Sequence, residues 1–428
     1  MVFDKPWVTS ILVFLISLVI LSAATITWGP LKALHADSEQ YMAIGRSLAT
    51  GNGFKNPVGP WPDLPEIARM PGWPALISVG LRVAPWAKPE AVSRFTNAFC
   101  LSVAAAFFCA LSRKLGVKPI WSVVAGLAVT LSPALIFLSV DGLSEVSFLM
   151  IIAIGLTAVL AGGRWIYPGA LILGLAALVR TNFILVPPVF VGLALAFRSS
   201  REALMKRGNL ARVFACCVIA LVPALLWAVR NDLITGRFPL LSTIEGETFY
   251  GSNNELTAHN LEYWGYWVLP DDIPGEVRKL ELAKRLGSDL ALNDYYHRKG
   301  VAWVKSNLRG LPRLELGKFI RAFAPIPWAP ITASYIAFFC RFLLYVLWFV
   351  LLPFWWRGMN RTYMLFCLAM AVIHVITTAM YYGLYRFTHC YVEILFVPCI
   401  AYGLQQWLTS TRKTHLPSRN AEVTSALV

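Results

Sequence analysis

The residues from Trp7 to Trp28 contain no charged side chain, and nine further apolar runs follow along the chain. A run of about twenty apolar residues is long enough to cross a bilayer as a helix. Only 14% of the 428 residues are charged, whereas a soluble domain has about 25%. The sequence therefore predicts an all-α polytopic membrane protein with about ten transmembrane helices. A cleaved signal peptide is the alternative for the first run, with Ser22-Ala23-Ala24 as a weak cleavage site.

The positions of lysine and arginine predict the topology. The ten runs lie at 7–28, 91–112, 119–138, 143–162, 166–179, 183–197, 211–229, 333–356, 361–381 and 390–408. Basic clusters follow the second, fourth, sixth, eighth and tenth runs: Arg113, Lys114 and Lys118; Arg164; Arg198, Arg201, Lys206 and Arg207; Arg357 and Arg361; Arg412, Lys413 and Arg419. Since basic loops stay in the cytoplasm, the N-terminus is expected there.

This topology divides the chain into four parts. Residues 1–229 form an N-terminal membrane module of seven spans, which includes a first outer loop at 30–90. Residues 230–332 form a small outer-face module, with helices expected at Pro274–Leu292 and Tyr295–Leu308. Residues 333–410 hold the last three spans, and 411–428 form a polar cytoplasmic tail.

The charge and the cysteines exclude two common functions. The formal net charge is +15, but much of the excess lies in short loops, where it sets topology. We therefore expect no nucleic-acid partner. The eight cysteines lie in apolar runs without metal-ligand spacing, so they predict small apolar side chains in helices rather than a metal site.

The first outer loop contains two motifs. Asp37 directly follows the first span, and Tyr41, Ile44 and Leu48 recur after it at helical spacing, as expected of a helix on the membrane surface. Asp37 with Gln40 is also a capping-box pattern, so an N-cap aspartate is the structural alternative. The segment Arg69 to Pro74 precedes a second helical stripe, with Pro71 suited to the first turn.

Charged residues at the outer ends of later spans are further candidates. Glu145 begins the fourth span, where an acidic residue is either functional or favoured by the helix dipole. Arg180 and Arg386, with His389, lie on the side where the topology rule disfavours arginine. A phosphate at the outer surface would explain the arginines, and lipid headgroups or local acids are the alternative. Asn253-Asn254 indicates a turn first and a sugar-binding element second.

In this order, the motifs resemble those of GT-C glycosyltransferases, closest to the bacterial protein-O-mannosyltransferase and lipid A aminoarabinose-transferase group. The matching elements span most of residues 20–400: Asp37 with Tyr41, Pro71-Gly72-Trp73-Pro74, Ser132-Pro133, Ser144-Glu145, Gly174 to Arg180, Arg230-Asn231, Gly236-Arg237-Phe238, Asn253-Asn254, and Arg386 with Pro398. Asp37-Ser38-Glu39 stands where the family usually has Asp-Glu. Arg69-Met70 replaces the Glu-Lys pair of aminoarabinose transferases, which argues against that activity.

The resemblance implies a polyprenyl-phosphate-linked sugar, such as one on undecaprenyl phosphate, used at the periplasmic side of the plasma (inner) membrane. A hexosyl or pentosyl group would pass, with inversion, to a hydroxyl of a glycolipid, polysaccharide or protein in the cell envelope. The implied roles are a catalytic base, Asp37; acceptor-orienting groups, Glu145, Glu39 and Tyr41; donor-phosphate ligands, Arg386, Arg180 and His389; and sugar ligands, Asn253 and Asn254. No cofactor is required, and a divalent cation is left open.

A multi-pass transporter or flippase of lipid-linked sugar is the alternative. Such proteins tend to have internal repeats and polar or broken helices at mid-membrane. This chain shows no repeat, and its notable charges gather at one face. The pattern favours the glycosyltransferase.

Overall fold

The computed structural model describes residues 5–31, 35–206, 208–238, 241–325 and 335–414. Arg207, Arg419 and the end of the polar tail lie outside these ranges. Within them the chain is almost entirely helical, and the one β feature is an isolated bridge between Lys55 and Pro65. The predicted fold class, an all-α polytopic membrane protein, is confirmed.

The N-terminal module contains eleven α-helices in the described residues. They are α1 (Pro6–Trp28), α2 (Ala36–Ala49), α3 (Gly72–Val83), α4 (Pro89–Lys114), α5 (Pro119–Thr130), α6 (Pro133–Val140), α7 (Glu145–Ala161), α8 (Ile166–Leu175), α9 (Val186–Ala196), α10 (Arg198–Leu204) and α11 (Asn209–Thr235). Helices α1, α4 and α7 pack side by side, with α5 and α8 against them. Their buried side chains form the main apolar core.

The rest of the chain forms the outer module and the last spans. The outer module holds α12 (Glu245–Ser252), α13 (Glu255–His259), α14 (Lys279–Leu286), α15 (Asp289–Ser306) and α16 (Leu311–Phe323). The last spans are α17 (Tyr335–Trp355), α18 (Arg361–Met380), and α19 (Tyr385–Thr388) leading through a π-helical turn (His389–Glu393) to α20 (Val397–Thr414). The outer module has its own small core around Tyr250 and Tyr296.

The ten apolar runs of the sequence all correspond to helical segments of the structure, but they differ in length and straightness. In the part of the chain that the structure describes, six helices are long and apolar enough to cross a membrane, or up to eight if each bent pair is one span. One bent pair is α5 with α6, which meet at 48°. The bend lies at Ser132-Pro133, because proline disfavours helical geometry at the residue before it. Two shorter apolar helices complete the ten predicted runs, so the ten-span count stays a prediction.

Three local predictions need correction. The predicted helix Pro274–Leu292 is split, because Gly287 has a φ of 75° and Ser288 caps a new helix. That helix, α15, begins at Asp289 rather than at Tyr295. Helix α16 was not predicted. Basic residues alternate with its apolar ones, so its amphipathic stripe is difficult to recognise in the sequence.

Candidate functional site

A cavity of about 1010 Å³ lies between the first outer loop, the outer module and the segment before α20. Its wall includes Asp37, Tyr41, Arg69, Arg180 and Arg386. The cavity therefore gathers four of the predicted site residues from distant parts of the sequence, together with Arg69.

The start of α2 shows why Asp37 faces this cavity. The N-cap residue of α2 is His35, whose Nδ1 accepts a hydrogen bond of 3.2 Å from the Asp37 backbone N–H. The capping-box interpretation of Asp37 with Gln40 is therefore wrong. Asp37 lies in the first turn and its carboxylate is free of the capping role, while Gln40 Oε1 accepts a hydrogen bond of 2.8 Å from Arg69 Nε.

The turn between α6 and α7 ties α2 to the start of α7. Ser38 Oγ donates to Asp141 O at 2.6 Å, and the His35 backbone N–H donates to Asp141 Oδ1 at 3.2 Å. Trp73 Nε1 donates to Gly142 O at 2.9 Å, and Asn97 Nδ2 donates to Leu143 O at 2.8 Å. These bonds fix the position of Asp37 relative to Glu145, because Glu145 begins α7 directly after this turn.

Two close backbone approaches place the arginines. A Cβ on Gly72 would lie 2.8 Å from Leu178 O, so only glycine lets α3 pack against the segment that leads to Arg180. A Cβ on Gly383 would lie 1.7 Å from Lys318 O, so glycine is also required where α16 meets the segment before Arg386. The Pro-Gly-Trp-Pro motif thus has a packing role beside the site.

The charged groups form one connected cluster. Asp37 Oδ1 lies 2.8 Å from Arg69 Nη2, and Asp37 Oδ2 lies 3.8 Å from Arg386 Nη2. Glu145 Oε1 lies 3.3 Å from Arg386 Nε and 2.6 Å from Arg180 Nη2. Three guanidinium groups against two carboxylates leave a net positive charge. We call these five residues the arginine cluster.

The cluster holds Asp37 in its ionised form. Burial alone would raise the pKa of this carboxyl, but the positive charges of Arg69, Arg386 and His35 outweigh burial, and the pKa lies well below its usual range. The carboxylate keeps about a quarter of its side-chain surface exposed, and it lines the cavity. It is therefore an ionised group that a molecule in the cavity can reach.

Several polar atoms of the cluster have no hydrogen-bond partner. Among the described residues, none hydrogen-bonds to Glu145 Oε2, Arg180 Nε or Arg386 Nε, although all three atoms are buried. Arg180 and Arg386 both line the cavity, and guanidinium groups are suited to a phosphate, which accepts several charge-assisted hydrogen bonds.

Aromatic rings support the two inner arginines. The guanidinium carbons of Arg180 and Arg386 lie 5.1 Å and 5.0 Å from the ring centre of Phe387. Phe387 stacks on Tyr391 and meets Tyr382 edge to face. Burial raises the pKa of Tyr382 to about 12, so this phenol stays neutral. These rings offer flat aromatic faces to a ligand and add no charge of their own.

His389 lies apart from the arginine cluster. Its Nε2 is 2.8 Å from Ser132 Oγ, and its Nδ1 is 2.8 Å from Glu393 Oε2. Both ring nitrogens are thus engaged inside the bundle, and the residue does not line the cavity. The structure does not bring His389 together with Arg180 and Arg386.

Three further predicted residues also lie elsewhere. Asn253 and Asn254 are buried, and their amides bond to groups of the protein, including Lys318 Nζ for Asn253 and the Thr257 N–H for Asn254. Glu39 is exposed and outside the cavity wall. Tyr41, in contrast, lines the cavity. The centre of its ring lies 5.4 Å from the guanidinium carbon of Arg69.

Sequence reasoning missed Arg69 as a site residue. It was noted as the first residue of the second motif and as a departure from a family pattern but was given no role of its own, although an arginine on the outer side was itself an available signal. Tyr382 gave no comparable signal. Among the described residues, no group of three or more His, Cys, Asp or Glu side chains is placed to hold a metal ion.

Comparisons with known proteins gave one kind of match. No protein-family model matches the chain, and no curated protein matches it. Among solved structures it is similar to the crystal structure of ArnT from Cupriavidus metallidurans bound to undecaprenyl phosphate, with 13% identity and a TM-score of 0.45. The match covers 93% of this chain and 79% of the other.

Proposed function

We propose that this protein is a membrane glycosyltransferase of the GT-C type. It transfers a sugar from a polyprenyl-phosphate donor to an acceptor hydroxyl, with inversion, at the outer face of the membrane. The observation that supports this most strongly is the arginine cluster: an ionised, reachable carboxylate stands beside guanidinium groups that line the same cavity.

The chemistry needs two features, and the cluster supplies both. The acceptor oxygen attacks the anomeric carbon, and its proton passes to a base, for which Asp37 is the candidate. The bond between that carbon and the phosphate oxygen breaks, and polyprenyl phosphate leaves with the electron pair. Arg386 and Arg180 stabilise the negative charge that develops on this leaving group.

A bound phosphate would also make Asp37 a better base. In the free protein, Arg386 is one of the cations that hold its pKa low. A phosphate on Arg386 neutralises that cation, so the pKa of Asp37 rises towards its ordinary value. Proton abstraction is then coupled to donor binding.

Glu145 acts as a positioning residue in this account. Its side chain is fully buried and does not line the cavity. It contacts both Arg180 and Arg386, so it fixes the two arginines relative to each other. This position favours a role in holding the arginines over a role in orienting the acceptor.

A multi-pass protein of the plasma (inner) membrane with its outer loops in the periplasm fits the distribution of basic residues. Undecaprenyl phosphate, or a related polyprenyl phosphate, is the lipid that such an enzyme would release. The acceptor is a glycolipid, a polysaccharide or a protein of the cell envelope.

Product analysis tests the function directly. The protein in nanodiscs is incubated with a polyprenyl-phosphate hexose or pentose and with fractions of cell-envelope acceptors, and lipids are analysed by mass spectrometry. We expect acceptor-dependent release of free polyprenyl phosphate, lost in the Arg386→Ala variant. In sealed proteoliposomes, a donor that becomes accessible on the opposite face while it stays chemically unchanged would instead identify a flippase.

A further inference from the structure

A second part of the cavity wall is acidic. It holds Glu66 from the first outer loop, Glu247 from α12, Asp271 before α14, and Asp289 at the start of α15. We call these four carboxylates the acidic wall. One lining cation accompanies them, Lys279, whose Nζ lies 2.5 Å from Glu247 Oε2. The wall therefore has an excess of negative charge.

Three of these carboxylates form hydrogen bonds or an ion pair within the protein, whereas the fourth, Asp289, forms neither within the described part of the chain. Glu66 Oε1 accepts hydrogen bonds from the backbone N–H groups of Ala68 and Arg69, at 2.5 Å and 3.1 Å. Asp271 Oδ1 accepts one of 2.6 Å from the Lys279 N–H. No hydrogen bond or ion pair joins Asp289 to any residue that the structure describes. Asp289 is thus the member that a ligand would contact most directly.

Tyr296 gives an independent indication of a ligand. This side chain is fully buried, yet it lines the cavity. Its hydroxyl has no hydrogen-bond partner in the described part of the chain. A buried hydroxyl without a partner is costly, and a polar molecule in the cavity would satisfy it.

We propose that the acidic wall and Tyr296 form a subsite for a positively charged amino group carried by the acceptor. The identification of this ligand as the acceptor rests on the proposed function, whereas the preference for a cation rests on the acidic wall alone. A phosphorylated acceptor is disfavoured at this wall, because like charges repel.

The position of Glu66 explains how this subsite would serve transfer. Glu66 holds the backbone N–H of Arg69, and the Arg69 guanidinium contacts Asp37 at 2.8 Å. An amino group bound at the acidic wall therefore lies in the same cavity as the candidate base. The donor phosphate occupies the arginine cluster at the same time.

The protonation of Asp289 gives the subsite a measurable pH dependence. Burial and the negative charges of Glu66 and Glu247 raise the pKa of Asp289 to about 7, against the opposing effect of Lys279. Below this pH the carboxyl is neutral and attracts an amine weakly. Above it the carboxylate is charged, so a cationic ligand binds more tightly.

Calorimetric titration of the full-length protein in nanodiscs tests the subsite. The two probes are 2-aminoethyl glucoside and 2-hydroxyethyl glucoside, which differ in one positive charge. Since hydrogen bonds to charged groups are worth about tenfold or more in binding, we expect the aminoethyl probe to bind about tenfold more tightly above pH 7. This preference should shrink as the pH falls.

Three variants separate charge from structure. Asp289→Asn should abolish the preference and its pH dependence, and Tyr296→Phe should weaken both probes equally. Asp294→Asn removes a charge from the same helix, outside the cavity wall, and should change nothing. Equal binding of the two probes by the wild type, or a preference retained in Asp289→Asn, would overturn the proposal. Donor binding and transfer are measured separately, so failure of the enzyme assignment leaves this result intact.

Discussion

The Asp37 carboxylate and the Arg386 guanidinium lie 3.8 Å apart, although they come from opposite ends of the chain. Arg386 also lies 3.3 Å from Glu145, so one arginine connects the candidate base with the buried acid at the start of α7. This relationship determines the predictions that follow, because a phosphate that binds Arg386 must change the surroundings of both carboxylates.

Replacement of Arg386 by lysine should weaken donor binding by about tenfold or more. A lysine keeps the charge but loses the planar fork that binds a phosphate through two hydrogen bonds. Binding of a labelled polyprenyl phosphate in nanodiscs measures the effect. Arg237→Lys is the matched control, because Arg237 pairs with Asp294 outside the cavity wall. Unchanged affinity in Arg386→Lys would exclude this residue from the phosphate site.

Glu145→Gln should destabilise the protein by about 3–5 kcal/mol, because removal of one partner leaves buried charges unpaired. Polyprenyl phosphate should restore part of this loss, since the anion compensates Arg180 and Arg386. Thermal unfolding with and without the lipid measures both effects. Glu90→Gln is the control, because Glu90 is an exposed carboxylate in the first turn of α4. Equal unfolding temperatures for the two variants would support the helix-dipole interpretation of Glu145.

The pH dependence of transfer should respond to Arg69. The pKa of Asp37 is depressed, so Asp37 stays ionised, and its ion pair persists, until the pH falls below the ordinary carboxyl range. Arg69→Gln removes one cause of the depression, so the acid limb of kcat/KM should move to higher pH. Rates measured from about pH 3 to about pH 7 test this, the range around ordinary carboxyl pKa values. Coincident acid limbs would show that Asp37 does not control the profile.

The outer loops should be accessible from outside the cell. Single cysteines at Asn52 and Asp272, both exposed, are placed in a background without other cysteines. The cysteines are not placed at the nearby Gly53 and Gly275, because both glycines have a φ of 83°, which a cysteine would tolerate poorly. An impermeant thiol reagent should label both positions in intact cells. Labelling only after lysis would mean that the topology is inverted.

The sequence predicts the spans because lipid imposes a simple rule of length and composition on each one. Charge at the outer ends of apolar runs marks Asp37, Glu145, Arg180 and Arg386 as separate candidates, and the family resemblance joins them into one set. The sequence does not predict side-chain partners such as Arg69 with Asp37, which depend on how distant segments meet. His389 shows the limit: it is three residues from Arg386 along the chain, yet its ring points to Ser132 and Glu393.

The structure also changes what substitution of Asp37 can reveal. His35 is the N-cap of α2, so Asp37→Asn leaves the cap in place and removes only the negative charge. Asparagine keeps the size and one acceptor oxygen but is not a useful base. Glu39→Gln is the matched control, because Glu39 lies two residues further on the same helix and is exposed.

The rate of sugar transfer by Asp37→Asn is the most direct test of the central claim. Transfer from a synthetic polyprenyl-phosphate sugar is followed in nanodiscs, with thermal stability and donor binding recorded for the same samples. We expect a folded protein that binds donor and transfers about 10² times more slowly or worse, since positioned acid–base catalysis contributes about 10²–10⁴-fold. Glu39→Gln should transfer at the wild-type rate. Activity of Asp37→Asn within a few-fold of wild type would contradict the assignment of Asp37 as the catalytic base.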